Sequence, residues 1–318
     1  MTATERSVPA TADPLGETLH LLRLTGTLYC RSELTAPWGV DLPALPDCMM
    51  FHLVTAGRCR LEVAGEPPRL LERGSLVLLP HGEGHTIRSA EGVAAPPLFD
   101  LPIERVSDRY EILRHGGGGE RAQVICCVAR FDHVAASHLV AELPKVLQID
   151  SWHDADAGSW LASTMRFVAR EAQALRPGGE TVITRLADVL VIQLIRTWID
   201  SASAAGRGWL GALRDPQLGA ALNAIHRSPG APWSVATLAE QACMSRSAFA
   251  ARFTELVGEP VGRYLTSWRL RLARERLRAG PVAIAAVADE LGYRSEAAFC
   301  RAFKREFGVS PGRSRRQE

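Results

Sequence analysis

Residues 232–311 contain one sequence unit twice, and this duplication constrains the fold more than any other feature of the chain. Phe249 and Phe253 recur fifty residues later as Phe299 and Phe303. Residues four apart lie on the same face of an α-helix, so each Phe pair predicts a helix with one buried stripe. The chain should therefore contain two similar helical units in this region.

The residues around the Phe pairs predict where each of these helices begins and ends. Ser245 and Ser295 each lie four residues before the first Phe, and a serine oxygen can accept from the free N–H groups of a first helical turn. Gly258 and Gly308 each lie five residues after the second Phe. Each copy thus predicts a short helix, a tight turn and a second helix. This is the layout of a helix-turn-helix, whose second helix enters the major groove of DNA.

Two helical hairpins could bind DNA or could simply be packing modules. The charge distribution distinguishes between these two roles. Residues 209–318 contain 17 Lys and Arg against 10 Asp and Glu, whereas residues 1–208 contain 20 against 25. A basic end beside an acidic remainder is typical of a domain that binds a polyanion. Duplication and charge together favour double-stranded DNA as the partner.

The residues off the buried stripes are the candidate DNA contacts. Arg301 could pair with guanine, whereas Ala250 and Ala251 could touch only thymine methyl groups. Arg246 could contact a base or a phosphate, and the other flanking basic residues should reach phosphates. The full set is Ser245, Arg246, Ser247, Ala250, Ala251 and Arg252 in the first copy, and Arg294, Ser295, Glu296, Ala297, Arg301, Lys304 and Arg305 in the second.

Residues 215–313 resemble the DNA-binding domain of the AraC/XylS family of bacterial transcription regulators. The match includes residues 215–225, both helix-turn-helix units (about 234–257 and 283–307), the helix Val261–Ala279 and the run from Leu291 to Pro311. The resemblance implies two recognition helices in successive major-groove segments of an operator. Activation is the commoner outcome in this family, so an activator is expected and RNA polymerase is a candidate partner.

Residues 20–130 change character and predict a β-sandwich or barrel. Short runs rich in Val, Leu and Ile are separated by Gly and Pro. The spacing from Gly74 through Pro80 and Gly82 to His85 resembles the second motif of the cupin barrel, and Phe51–Gly57 resembles the strand before it. Residues 16–140 therefore resemble the cupin-type sensor domain of one AraC subgroup, which implies a small-molecule effector. Candidate lining residues are Trp38, Phe51, His52, His85 and Arg88.

A metal site is the competing interpretation of the barrel. Cupin enzymes also use two histidines of a first motif, but that region reads Leu42–Asp47 here and contains no histidine. His52, His81, His85 and one of Cys126 and Cys127 could still form a nitrogen and sulfur cluster suited to zinc. Alternatively, these histidines satisfy backbone groups and the cysteines behave as small buried hydrophobes. No cofactor is expected, and no catalytic residue.

Two further helices are predicted after the barrel, at Ser159–Leu175 and Thr181–Ser203. Apolar residues recur at helical spacing in the second, and the apolar face is wider than packing against a barrel requires. The family resemblance implies a dimer interface here, so a homodimer is expected, with simple packing as the alternative. The predicted fold is thus α+β and multidomain: a sensor domain over 16–205, with dimerisation helices at about 159–203, and an all-α DNA-binding domain over 209–318.

Several other properties narrow the function. No window approaches twenty unbroken apolar residues, which predicts no membrane span, and residues 1–15 lack the pattern of a signal peptide and predict a frayed tail. Seven scattered cysteines suit a reducing cytoplasm. The alternative functions are a cupin metalloenzyme with a helical interaction module, and an architectural DNA binder without a pocket.

Overall fold

The computed structural model describes residues 24–131, 139–150, 158–174, 176–201 and 208–315, together with Gly16 and Leu19. The tail predicted at 1–15 lies outside these residues. The described chain forms two compact units, one within Leu22–Asp132 and Val140–Ser201 and the other chiefly within Ala202–Glu318.

The first unit contains two β-sheets. A seven-stranded sheet has the order β11-β6-β3-β10-β1-β9-β8, and a four-stranded sheet has the order β2-β7-β4-β5. In the seven-stranded sheet, neighbouring strands pair antiparallel except for β1 and β9, which run parallel. The strands are β1 (Leu24–Thr35), β2 (Gly39–Leu42), β3 (Met49–Ala56), β4 (Arg58–Val63), β5 (Arg69–Glu72), β6 (Ser75–Leu79), β7 (His85–Arg88), β8 (Ile103–Arg105), β9 (Tyr110–Gly116), β10 (Arg121–Phe131) and β11 (Leu147–Asp150).

Side-chain alternation along the strands places one core between the two sheets. Met50 and Val54 of β3 pack in the same cluster as Leu61 and Val63 of β4 and Ile87 of β7. Because neighbouring side chains of a strand point to opposite faces, Phe51 and Leu53 lie on the other face of the large sheet. They are buried there as well, at 2% and 1% exposure, so the large sheet is covered on both faces.

Two helices cover the outer face of the large sheet. These are α1 (Gly158–Ala174) and α2 (Gly179–Ser201), which agree with the helices predicted at Ser159–Leu175 and Thr181–Ser203. The helices pack on each other and on β1, β3 and β11. The Tyr110 hydroxyl donates to the Ala172 carbonyl at 2.5 Å and fixes the end of α1 to β9.

The described residues of the second unit form helices and connecting turns, with no strand among them. Its helices are α3 (Gly208–Arg214), α4 (Pro216–Arg227), α5 (Val235–Gln241), α6 (Arg246–Val257), α7 (Val261–Ala279), α8 (Ile284–Glu290), α9 (Glu296–Phe307) and α10 (Pro311–Ser314). A β-rich first unit and a helical second unit confirm the predicted fold class at this level. No described helix is long and apolar enough to cross a membrane.

The duplicated sequence forms two similar helix pairs, α5 with α6 (the first pair) and α8 with α9 (the second pair). Ser245 accepts from the Ala248 amide at 3.3 Å, and Ser295 accepts from the Ala298 amide at 3.2 Å. Gly258 and Gly308 end the helices with φ of 85° and 72°, a left-handed conformation in which a glycine is favoured. All four stripe phenylalanines are 0% exposed.

Helix α7 joins the two pairs and shares its core residues between them. Near its start, the Tyr264 ring lies 5.6 Å from the ring of Phe253 in the first pair. Leu270 at its middle and Leu277 near its end pack in one cluster with Phe299 of the second pair. The observed bounds of α7 are those predicted from the sequence, and one continuous helix fixes the two pairs to each other.

Candidate nucleic-acid interface and barrel cavity

The free faces of α6 and α9 form an exposed surface on the helical unit. Arg246, Ser247 and Ala251 of α6 are exposed, while Ala250 is half-buried. On α9 and just before it, the exposed candidates are Arg294, Glu296, Ala297, Arg301, Lys304 and Arg305. Ser245 and Ser295 are exposed too, but each uses its side-chain oxygen to cap its own helix. The residues predicted as contacts therefore lie on two equivalent helix faces.

The two free faces differ in charge at equivalent positions. Counting 3.6 residues per turn from the buried Phe pairs, the most outward positions are Ser247, Ala251, Thr254 and Glu255 on α6, and Ala297, Arg301, Lys304 and Arg305 on α9. The first set contains one acidic residue and no basic one, whereas the second contains three basic residues. The sequence patterns did not identify Glu255 as a functional residue. The signal was there, because Glu255 in the first copy occupies the position of the basic Arg305 in the second.

Arg252 is held by an intramolecular ion pair. Its Nη2 lies 2.5 Å from Asp215 Oδ2, while Asp215 Oδ1 accepts from the Gln217 and Leu218 amides at the start of α4. Burial raises the pKa of Asp215, but the hydrogen bonds from Arg252 and the two amides outweigh it and hold the pKa below its usual value. Arg252, predicted to reach phosphate, is thus engaged in tying α6 to α4.

The barrel contains an apolar cavity of about 100 Å³. Phe99, which is 74% exposed, lies at its rim in the turn Leu98–Asp100. Glu111 is its only charged lining residue among those described. The remaining lining residues are Leu28, Cys30, Ser32, Leu34, Trp38, Val40, Leu42, Pro43, Leu45, Met50, Ile87, Leu98, Ile103, Leu113, Val124, Cys126 and Val128.

Of the residues predicted to line an effector pocket, Trp38 borders this cavity and the others do not. Phe51 is on the opposite face of β3 from Met50, which does line the cavity. Arg88 donates to the Val93 carbonyl at 2.9 Å and pairs with Glu62, so its guanidinium lies outside the barrel core. Alternation accounts for Phe51, whereas His52 shares the inner face of β3 with Met50 without lining this cavity.

The histidines of the barrel form a hydrogen-bonded chain. His52 Nε2 lies 2.7 Å from His85 Nε2, and His52 Nδ1 lies 3.1 Å from Cys126 Sγ. Burial lowers the pKa of His52, with a further lowering from the neighbouring His85, and burial lowers the pKa of His85. His81, by contrast, bonds the Leu143 carbonyl at 2.9 Å through its Nε2.

These side chains do not fit a cupin metal. A tetrahedral zinc ion would hold two ligating nitrogens about 3.3 Å apart, whereas the two Nε2 atoms are at the distance of a direct hydrogen bond. Within the part of the chain that the structure describes, there is no group of three or more His, Cys, Asp or Glu side chains that could hold a metal ion. The arrangement suits proton-sharing side chains instead.

Comparison with known proteins now places both units. A cupin family model matches residues 13–200, and a helix-turn-helix domain model matches residues 238–317. A putative AraC-like transcription regulator of Streptomyces lividans is 34% identical over 94% of this chain and 97% of its own length. The chain belongs to the AraC-like transcriptional regulators. The HTH-type transcriptional regulator AlkR of Acinetobacter baylyi is 31% identical, over 96% of this chain and 99% of its own.

The AraC-like assignment makes this chain a DNA-binding transcriptional regulator, as its helical unit predicted. Among solved structures, the DNA-binding domain of AdpA, in complex with a target DNA, is similar to 32% of this chain and covers 91% of its own, at 31% identity and a TM-score of 0.30. In this AraC-like regulator the exposed faces of α6 and α9 belong to the unit that the helix-turn-helix model matches.

Proposed function

We propose that the protein binds an operator sequence through two helix-turn-helix motifs, α5–α6 and α8–α9, and regulates transcription in response to a small effector in the barrel. The observation that carries this proposal is the pair of equivalent helix faces described above. Each has a buried Phe stripe on one side and an exposed face on the other. Such a face is what a recognition helix presents to the major groove.

The charge contrast between the two faces supports unequal roles for them. On α9, Arg301 is exposed at the most outward position and has no ion pair among the described residues, which leaves its guanidinium available for guanine O6 and N7. On α6, Ala251 takes the equivalent position and can offer only a methyl contact, while Glu255 opposes phosphate. We infer that α9 reads base pairs directly and that α6 contributes mainly shape and thymine-methyl contacts.

The apolar cavity supports an uncharged effector of small size. An apolar cavity of roughly 150 Å³ can hold one benzene molecule, so a cavity of about 100 Å³ fits a smaller molecule. Its lining offers few polar groups, chiefly Ser32, Glu111 and the thiols of Cys30 and Cys126. A charged ligand would lose its hydration there without gaining partners.

Exposed apolar side chains on α1 and α2 support a homodimer. Trp160 and Phe167 of α1 are 48% and 47% exposed, and Val182 and Val189 of α2 are 36% and 37% exposed. Large apolar side chains grouped on neighbouring helices are typical of interaction surfaces. A closed, two-fold dimer would cover them and would present two helical units to one operator.

A regulatory role without catalysis completes the proposal. The relatives are named as transcription regulators, and the barrel histidines are hydrogen-bonded to each other and to Cys126. Activation through RNA polymerase, in the cytoplasm, is the mode we propose, on the family resemblance of residues 215–313.

Genome-wide occupancy tests the proposal directly. The full-length protein is incubated with fragmented genomic DNA of its own organism at physiological salt, and the bound fragments are sequenced. A small set of sharp peaks sharing a motif is expected, and the Arg301→Glu variant should lose them. Arg278→Glu, an equal charge change at an exposed position of α7, is the matched control and should keep them. Diffuse binding without a motif would contradict sequence-specific recognition.

A further inference from the structure

Four side chains that can exchange protons or electrons form a row across the large sheet. In the strand register, Cys126 of β10 is opposite Cys30 of β1 on one side and opposite His52 of β3 on the other. Cys30 is in turn opposite Glu111 of β9. Directly opposite residues project to the same face of a sheet. Glu111, Cys30 and Cys126 accordingly line the apolar cavity.

The hydrogen bonds at one end of the row define which nitrogens carry protons. The Glu83 carbonyl can only accept, and it lies 3.0 Å from His85 Nδ1, so that nitrogen carries the hydrogen. In neutral His85, Nε2 is then an acceptor for the Nε2–H of His52 at 2.7 Å. His52 Nδ1 is left as an acceptor that faces the Cys126 thiol at 3.1 Å. His52 is therefore positioned to take the Cys126 proton.

The other end of the row brings a second thiol close to the first. The Ser32 hydroxyl lies 3.8 Å from Cys30 Sγ and 4.0 Å from Cys126 Sγ. Directly opposite residues of antiparallel strands have Cβ atoms roughly 4.5–5.5 Å apart, and a disulfide needs about 3.5–4.5 Å. A small approach of β1 and β10 is enough to join the two sulfurs.

We propose that Cys126 and Cys30 are a modification site at which a small, uncharged peroxide forms a disulfide in the cavity wall. In the first step the Cys126 sulfur attacks one peroxide oxygen, the O–O bond breaks, and the thiol proton passes through His52 to the departing oxygen. With hydrogen peroxide this step yields a sulfenic acid and water. In the second step the Cys30 sulfur attacks the sulfenic sulfur, the S–O bond breaks, and the Cys30 thiol proton joins the departing hydroxide to form a second water. Two thiols are oxidised and one peroxide is reduced.

The environment of the thiols favours this chemistry over reaction with charged reagents. Both cysteines are partly exposed although they are surrounded by the barrel, because the exposed surface faces the cavity. Burial raises the pKa of Cys30 to about 11 and raises the pKa of Cys126. Both thiols are protonated at rest, so Cys126 depends on a base. Burial keeps the His52 imidazole neutral but also makes it a weaker base. The proton transfer is therefore carried by the direct hydrogen bond between His52 Nδ1 and Cys126 Sγ at 3.1 Å.

The other nearby cysteines are poorer partners for Cys126. Cys127 follows it in β10, and alternation directs its side chain to the outer face, towards Asp188 of α2. Cys59 of the small sheet is close enough to affect the pKa of Cys126, but it is 1% exposed and does not line the cavity. Cys243, in the helical unit, is exposed and serves as an internal reference for a solvent-accessible thiol.

Peroxide titration of the full-length protein, followed by peptide mass mapping, tests the proposal. Hydrogen peroxide is added at neutral pH, and reaction at each cysteine is followed over time. Cys126 should react at least about tenfold faster than the exposed Cys243, with a disulfide-linked peptide pair that contains Cys30 and Cys126 and has lost two hydrogens. Slower reaction at Cys126 than at Cys243, or a disulfide to Cys59 instead, would overturn the proposal.

Two variants separate the steps. Cys30→Ser should stop the reaction at the Cys126 sulfenic acid, which dimedone traps. If Cys126 instead forms a disulfide with another cysteine at the wild-type rate, Cys30 is not its partner. His52→Gln should slow oxidation of Cys126 by about 10²-fold or more while leaving Cys243 unchanged; an unchanged rate would remove the base from the proposal. If that variant does not fold, the wild-type rate ratio still decides. These readouts need no DNA or effector, so their failure leaves the proposed function standing.

Discussion

Replacing Arg301 with alanine is the sharpest test of how this regulator reads DNA. The guanidinium is exposed on the outward line of α9 and has no ion pair in the described part of the chain, so its loss should leave folding unchanged. A bidentate arginine contact to guanine contributes about 1–3 kcal/mol. Since about 1.4 kcal/mol is a tenfold change in affinity, Kd should rise roughly 5-fold to 150-fold.

The assay is fluorescence anisotropy with an operator selected from random DNA by the wild-type protein. Sites with each single base pair replaced are then compared. If Arg301 reads a guanine, the variant should bind the parent site and one substituted site equally, because the discrimination at that position is gone. The slope of log Kd against log salt should change little.

Two control variants identify the alternatives. Lys304→Ala should weaken binding to every sequence and reduce the salt slope by about 0.9, as loss of one phosphate contact does. Arg278→Ala, on α7, should have little effect on either quantity. Uniform weakening by Arg301→Ala with a shallower salt slope would assign Arg301 to phosphate, and unchanged binding would refute the placement of α9 in the groove.

Further predictions concern stability, assembly and the cavity. Asp215→Ala should lower the free energy of unfolding by about 0.5–2 kcal/mol through loss of the helix cap, and Asp215→Asn by about 0.2–1 kcal/mol, since it loses only the charge pair with Arg252. Because the folded-state pKa of Asp215 is lowered, its charge stabilises the fold above about pH 4. In urea unfolding, the difference in the free energy of unfolding between wild type and Asp215→Asn should disappear as pH falls through the folded pKa. A difference that stays constant with pH would contradict the ion pair. Val189→Glu should yield monomers in sedimentation velocity, whereas Thr197→Glu, exposed and polar on the same helix, should not; a persistent dimer would place the interface elsewhere. Val128→Phe should abolish the thermal shift produced by small uncharged molecules that stabilise the wild type, and retention of the shift would exclude the cavity as their site.

Local signals allowed much of the helical unit to be predicted from the sequence. Serine caps, left-handed glycines and Phe pairs four residues apart act over one or two turns, so the ends of α6 and α9 follow from a few adjacent residues. The bounds of α7 came instead from the family resemblance, since Pro260 makes no side-chain cap and Gly280 is in extended backbone. The pairing of Arg252 with Asp215, 37 residues earlier, could not be predicted, because it depends on how α6 packs against α4.

The barrel was less predictable, since its sites depend on register and on non-local pairing. Alternation shows that half of the residues of β3 face inward, but not that Met50 and His52 do while Phe51 does not. The parallel pairing of β1 with β9 brings Glu111 beside Cys30, 81 residues earlier in the sequence. The sequence did group Cys126 with His52 and His85 as a candidate cluster, but no short motif placed Cys30 or Glu111 beside them.

The unbroken helix α7 also sets a rule for the operator. Each inserted base pair adds about 3.4 Å and turns the next groove segment by about 35°, since one turn contains about 10–10.5 base pairs. Helix α7 cannot bend or lengthen to follow such a shift, because its buried residues pack in both helix pairs. Mutations of the operator that change its length between the two contact segments should therefore be more harmful than substitutions at the same place.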